Sequence, residues 1–119
     1  MSVADELFAA IEAGDVDRVR EIYAPDAVIW HNNDELEQTV DQNLRVLRWV
    51  CDNLADRAYE DVRRHEWDGG FVQQHVLRFT RDGRRLGVPA CIVATVDDGK
   101  ITRIDEYLDS AHVARITGG

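Results

Sequence analysis

Positive charge is scarce in this chain: 14 Lys and Arg stand against 23 Asp and Glu, a formal net charge of −9. Nucleic acid and anionic membrane surfaces are repelled overall by such a balance, and the arginines are scattered rather than gathered into a basic stripe. No partner of either kind is expected. No apolar run approaches the ~20 residues of a membrane span. The N-terminus carries Asp5 and Glu6 with no basic region, so it lacks a signal-peptide pattern and a cytoplasmic location is expected. Cysteine is limited to Cys51 and Cys91, on a predicted helix and a predicted strand, without zinc or redox spacing, so both are expected as free thiols. Proline occurs twice and no Pro-, Gly- or Ser-rich linker divides the chain; residues 1–119 read as one domain. Gly-rich phosphate loops, nucleophile elbows and Cys-His pairings at recognisable spacing are missing too.

What is there begins with helices. Ser2 can cap a first helix with Asp5 three positions on, and Val3, Leu7, Phe8 and Ile11 recur at helical spacing until Gly14. Asp15 caps a second, whose apolar face is Val16, Val19, Ile22 and Tyr23, and Pro25 bars continuation beyond Ala24. Ala27 to His31 has strand propensity and runs into the polar turn Asn32-Asn33-Asp34. Thr39, with Gln42 three positions later, can cap a long third helix reaching about Arg57, with a stripe of Val40, Leu44, Leu47, Val50 or Cys51, and Leu54. Trp49 lies beside that stripe, where it walls a cavity or fills core.

From Ala58 onward the apolar period changes to two. Strands are predicted over Tyr59 to Trp67, Phe71 to Arg81, Arg85 to Val96 and Lys100 to Asp109, with turns at Asp68-Gly69-Gly70, Asp82-Gly83 and Asp98-Gly99. Pro89 suits an edge, a bulge or a bend. The architecture is α+β: helices first, then a curved antiparallel meander that wraps their apolar faces.

The last strand holds the strongest chemical signal. Glu106 falls between Ile104 and Leu108 in strand alternation, on an apolar face, where a carboxylate must find a partner, reach water or hold a proton. If Asp98-Gly99 is a two-residue loop, Cys91 lies opposite Glu106 and Val93 opposite Ile104; a bulge would shift the pairing by one. Asp105 and Tyr107 face the other way in either register. His75 shares a strand face with Phe71, Leu77 and Phe79, where an imidazole either relays a proton or is a satisfied core group. His31, at a strand end, is a pocket-mouth base or an ordinary solvated histidine. Metal ligation by Glu106, His31 and His75 is chemically possible, but their spacing does not select it, and no metal is expected.

The Ala-Gly-Asp between the first two helices, the Tyr-Ala-Pro-Asp-Ala-Val entry to the first strand, and the closing Asp-Gly-Lys-Ile with Glu-Tyr-Leu-Asp resemble the nuclear transport factor 2-like superfamily. Within it the chain is similar to the SnoaL-like polyketide cyclase and ketosteroid-isomerase-like branch. The resemblance implies a cone-shaped fold in which N-terminal helices pack in the concave face of a curved, mainly antiparallel sheet around an apolar pocket, with the outer sheet face forming a dimer. It also implies specific departures. Leu7, His31 and Cys91 stand where ketosteroid isomerases place the oxyanion tyrosine, the catalytic aspartate and the protonated aspartate, which disfavours steroid isomerisation. Glu106, Trp30 and Asn32 stand where limonene epoxide hydrolases place an acid–base aspartate and the tyrosine and asparagine that hold water, while their arginine and second aspartate have no counterpart.

The expectation is therefore a small-molecule pocket performing cofactor-free acid–base chemistry on a small hydrophobic molecule: hydration, cyclisation or isomerisation. Glu106 would carry the proton with His31 or His75 as partner, and Trp30, Asn32, Trp49 and Cys91 would shape the cavity. The alternative is a non-catalytic binding or assembly module of the same fold, in which Glu106 makes a satisfied structural hydrogen bond. A homodimer through the outer sheet face is expected, since the alternating Ile92, Ala94 and Tyr107 would otherwise leave apolar surface in water.

Overall fold

A computed structural model describes residues 2–109, 111 and 112. Among these residues three helices, α1 (Val3–Ala13), α2 (Val16–Ile22) and α3 (Val40–Asn53), pack on six strands, β1 (Tyr23–His31), β2 (Glu37–Gln38), β3 (Ala55–Trp67), β4 (Gly70–Arg81), β5 (Arg84–Asp97) and β6 (Lys100–Leu108). The strands form one curved, open sheet in the order β2-β1-β6-β5-β4-β3. All neighbours are antiparallel except β1 and β6, which run parallel. The α+β cone expected from the sequence is the architecture observed.

Local signals fix the helix starts. Ser2 and Thr39 each form the reciprocal capping box with Asp5 and Gln42, and Asp15 accepts from the Arg18 amide. Gly14 ends α1 at φ 76°, a left-handed conformation that costs glycine little. The helix ends depart from expectation. Tyr23 opens β1 instead of closing α2, and α3 stops at Asn53 rather than near Arg57. Both residues have stronger partners outside a helix. Tyr23 is buried with its backbone paired to Ile101. The Arg57 guanidinium donates to four backbone carbonyls: Ile11 at 3.0 Å, Glu12 at 3.2 Å, Cys51 at 3.1 Å and Leu54 at 2.6 Å. One side chain thus satisfies the open ends of both α1 and α3 and ties them to β3.

The β5–β6 pairing decides which residues face the helices. Asp98 and Gly99 both have positive φ, and Asp97 pairs with Lys100, the two-residue hairpin expected. The register then slips at Thr95/Val96, which leaves Thr102 without a partner residue in β5, and the Val96 amide, facing away from β6, donates to the Gly69 carbonyl at 2.9 Å. Ile92 therefore lies opposite Glu106, Ala94 opposite Ile104 and Cys91 opposite Tyr107. This corrects two expectations. Cys91 turns to the outer face, and Ile92 and Ala94, 5% and 1% exposed, face the core and cannot contribute to an outer interface. Pro89 lies one residue past the last β5–β6 pair, where β5 is locally an edge.

The core sits between the helices and the concave sheet face, built from Leu7, Phe8, Val19, Ile29, Leu44 and Phe71 among others. A smaller cluster of Leu54, Phe79 and Val88 lies toward the end of α3. No helix among the described residues is long and apolar enough to cross a membrane.

Replacing Arg57 with Met keeps an apolar stem but leaves the four carbonyls without their charged donor. Urea unfolding is expected to show a loss of about 2–3 kcal/mol, the scale of hydrogen bonds to a charged group. A change inside about 0.5 kcal/mol, the range of ordinary surface substitutions, would show that water replaces the guanidinium without cost.

Candidate active site

A cavity of about 450 Å³ opens between α1, α3 and the concave sheet face. Its walls are chiefly apolar, with Leu7, Ile29, Leu54, Val88, Ile92 and Ile104 among them. Neither Trp30 nor Phe79 fills it. Trp49 lines its mouth, 40% exposed, with the Arg81 guanidinium 5.1 Å from the ring centroid.

Glu106 and His31 meet inside this cavity. The parallel β1–β6 register pairs them directly, and His31 Nε2 lies 3.0 Å from Glu106 Oε1, their side chains 16% and 21% exposed. The other carboxylate oxygen, Oε2, has no donor among the described residues. Burial opposes a charge on His31, but the hydrogen bond and charge of Glu106, with a contribution from Asp34, prevail and hold its pKa above the ordinary 6.5. A half-buried imidazole between a carboxylate and the rim can pass protons between them.

His75, the other predicted proton carrier, is 4% exposed and packs edge-on against Phe8 and Tyr59, with ring centroids at 5.5 and 4.6 Å. It does not contact Glu106. Arg64 Nη1 donates to Gln73 Oε1 at 3.2 Å, which turns the Gln73 amide nitrogen toward His75 Nδ1 at 2.9 Å. Nδ1 therefore accepts, and the imidazole is neutral. Burial pushes its pKa below 6.5 despite the opposing charge of Glu106. An imidazole enclosed by aromatic rings and held as an acceptor is a core group, which corrects its assignment as the partner of Glu106.

Three residues expected to shape the cavity do not line it. Trp30 packs on Tyr107 at 5.3 Å on the outer face, because inward Ile29 and His31 flank it in the strand. Asn32 closes the end of the β1–β6 ladder: its amide donates to the Glu106 carbonyl at 3.0 Å and its Oδ1 accepts from the Leu108 amide at 2.9 Å. Cys91 lines an outer concavity instead, for the register reason given above.

Sequence reasoning missed the polar residues that do line the cavity. Tyr23 Oη donates to Asn43 Oδ1 at 2.9 Å, and Asn43 Nδ2 donates to Gln38 Oε1 at 3.1 Å. Burial first, then the Glu106 charge, drives the Tyr23 hydroxyl pKa far above 10. Tyr59 also faces the cavity, its hydroxyl held protonated by burial and then by Glu106 and Tyr23. One signal was available for Asn43, an amide on an otherwise apolar stripe of α3. The inward position of Tyr23 depends on where α2 ends, which local propensity does not set.

A SnoaL-like domain profile matches residues 4–104, and the chain belongs to that family, within the nuclear transport factor 2-like superfamily. No curated protein matches the sequence. Among solved structures, IdmH of Streptomyces antibioticus, a proposed polyketide cyclase, is 20% identical with a TM-score of 0.82, over 98% of this chain and 96% of its own. A protein of ketosteroid isomerase-like fold from Catenulispora acidiphila, solved with trimethylamine, is 13% identical with a TM-score of 0.81, over 98% and 92%. An LEH-like epoxide hydrolase of M. tuberculosis is 18% identical with a TM-score of 0.75, over 98% and 94%. At these identities the likeness is one of fold.

Removing the Glu106 charge should reverse the sign of the His31 shift, since burial then acts with only Asp34 against it. An NMR titration is expected to place the His31 midpoint above 6.5 in the parent protein and below 6.5 in Glu106→Gln. Equal midpoints would mean that the two side chains do not interact in solution.

Proposed function

We propose that this protein is a cofactor-free enzyme that moves one proton on a small, uncharged, largely apolar molecule held in the cavity. The supporting observation is the His31–Glu106 pair at 3.0 Å, facing a cavity of about 450 Å³ with one carboxylate oxygen free of donors among the described residues. In this reading Glu106 Oε2 takes a proton from the bound molecule, or from a water attacking it. His31 holds the carboxylate through Oε1 and passes the proton to water at the rim, near Asp34. Apolar walls exclude competing water and orient the reacting carbon. Hydration, cyclisation and isomerisation share this step, and solved structures of like fold are named a proposed polyketide cyclase, an LEH-like epoxide hydrolase and a proposed isomerase.

The test needs no natural substrate. 2-Tetralone is a small neutral ketone whose α-protons exchange with D2O when a base removes them and a deuteron returns. Exchange above the buffer rate is expected from the parent protein, read by mass spectrometry, with a fall of ~10²-fold or more in Glu106→Gln. The amide oxygen introduced by Glu106→Gln can still accept from His31, so the stability of the variant should change by less than about 1 kcal/mol, the net worth of an ordinary hydrogen bond. Full exchange activity in the variant would remove Glu106 from the chemistry. A loss of about 1–3 kcal/mol with no exchange by either protein would favour a structural ion pair.

The same reading includes a homodimer through the outer sheet face. Tyr107 and Val62, 48% and 46% exposed, both line the outer concavity, and Trp30 packs against Tyr107. Light scattering at micromolar concentration should give twice the 13.5 kDa chain mass and a single chain mass for Tyr107→Asp. A monomeric parent protein would remove the dimer.

A further inference from the structure

Two tyrosines face the same carboxylate, and they differ in one respect. The Tyr23 hydroxyl is already engaged, donating to Asn43 Oδ1 within a chain that continues to Gln38. The Tyr59 hydroxyl makes no hydrogen bond to any described residue, although its ring lines the cavity. It is not among the buried polar atoms shut off from all partners, so it keeps accessible surface, and the residue lines the cavity. The ring itself is firmly placed. Phe8 and His75 hold it edge-on at 4.8 and 4.6 Å, and its backbone amide donates to Glu12 Oε2 at 2.8 Å. A rigid aromatic with an unused donor is a group prepared for a partner outside the protein.

Its position relative to Glu106 is also specific. Tyr59 comes from β3 and Glu106 from β6, with β4 and β5 between them in the sheet, so the two reach the cavity from different sides. The remaining charge on the wall is acidic: Asp34 and Glu106 line the cavity, and no Lys or Arg does among the described residues. An anionic ligand would meet two carboxylates with no Lys or Arg among the described residues to offset them and with His31 already engaged by Glu106, whereas a carbonyl, epoxide or ether oxygen needs only a neutral donor.

We propose that the Tyr59 hydroxyl is the hydrogen-bond donor that receives the oxygen of an uncharged ligand, fixing it across the cavity from the His31–Glu106 pair. This rests on the proton-transfer reading above and adds the second half of the site. When Glu106 removes an α-proton from a ketone, the electron pair of the broken C–H bond forms the enolate C=C bond, the carbonyl π pair moves to oxygen, and negative charge gathers there. A donor already aimed at that oxygen stabilises the charge more than it stabilises the neutral carbonyl. Burial and the neighbouring carboxylate keep the hydroxyl protonated, and therefore a donor, through the neutral pH range. Leu7 of α1 also lines the cavity and offers no donor.

Tyr59→Phe removes a hydroxyl that no described protein group uses, so the variant should melt with the parent. In the infrared, the carbonyl band of bound 2-tetralone should lie at lower frequency in the parent than in Tyr59→Phe. Binding should weaken ~10-fold, the value of one hydrogen bond, and the maximal rate of deuterium exchange should fall ~10²-fold. Tyr23→Phe, which removes an engaged hydroxyl, should leave the band where it is. An unmoved band and unchanged affinity in Tyr59→Phe, with exchange still lost in Glu106→Gln, would overturn this inference alone. If the parent shows no exchange above buffer, the enzymatic reading fails; a band that shifts only when Tyr59 is present would still assign the donor, and an unshifted band would overturn it.

Discussion

The parallel pairing of β1 with β6 is the constraint on which the site depends. It joins β1, which follows two helices, to β6, an interior strand that comes late in the chain, and its register places His31 beside Glu106. The other polar groups of the cavity are arranged around that contact. Asn32 clamps the end of the same ladder, and the slip at Thr95/Val96 turns Ile92, rather than Cys91, inward beside Glu106. A one-residue change of register would reverse the facing of every β6-paired residue of β5 from Thr95 back to Ala90. The chemistry therefore rests on backbone pairing before it rests on any side chain.

Two histidines near one carboxylate end with opposite electrostatics. His31 is held above its ordinary pKa because Glu106 outweighs its burial, and His75 is held below because burial outweighs Glu106. Their contributions to stability have opposite signs. The His31 contribution is fully present below pH 6.5 and is lost as pH rises through its higher folded value. The His75 penalty is absent above pH 6.5 and grows as pH falls through the window below it. Stability from this pair of groups is thus greatest between the two transitions. The chain from Arg64 through Gln73 to His75 Nδ1 keeps the second imidazole neutral and rigid, and Tyr59 leans on it.

Much of this was legible in the sequence where the signal was local. Ser2, Asp15 and Thr39 announce their helices, and Asp82-Gly83 and Asp98-Gly99 announce their hairpins, because caps and tight turns are decided by residues within a few positions of one another. Glu106 stood out as a carboxylate in an apolar alternation, and His31 as the end of a strand beside a polar turn. Non-local decisions were the ones that failed. Tyr23 leaves α2 because Ile101, far along the chain, pairs with it, and α3 ends early because Arg57 bonds carbonyls of two helices. The bulge did leave a trace: Ile101 and Ile104, both buried, stand an odd number of residues apart, which regular alternation cannot place on one face. That spacing was enough to move Cys91 out of the site and Ile92 into it.

On this proposal the cavity receives an uncharged molecule between Tyr59 and the His31–Glu106 pair. A crystal structure grown with 2-tetralone would decide this. The ketone is expected inside the cavity, its oxygen within hydrogen-bonding distance of the Tyr59 hydroxyl and an α-carbon facing Glu106 Oε2. A cavity closed by Trp49 and Val46, with Glu106 turned to solvent and the ketone absent or bound elsewhere, would contradict it.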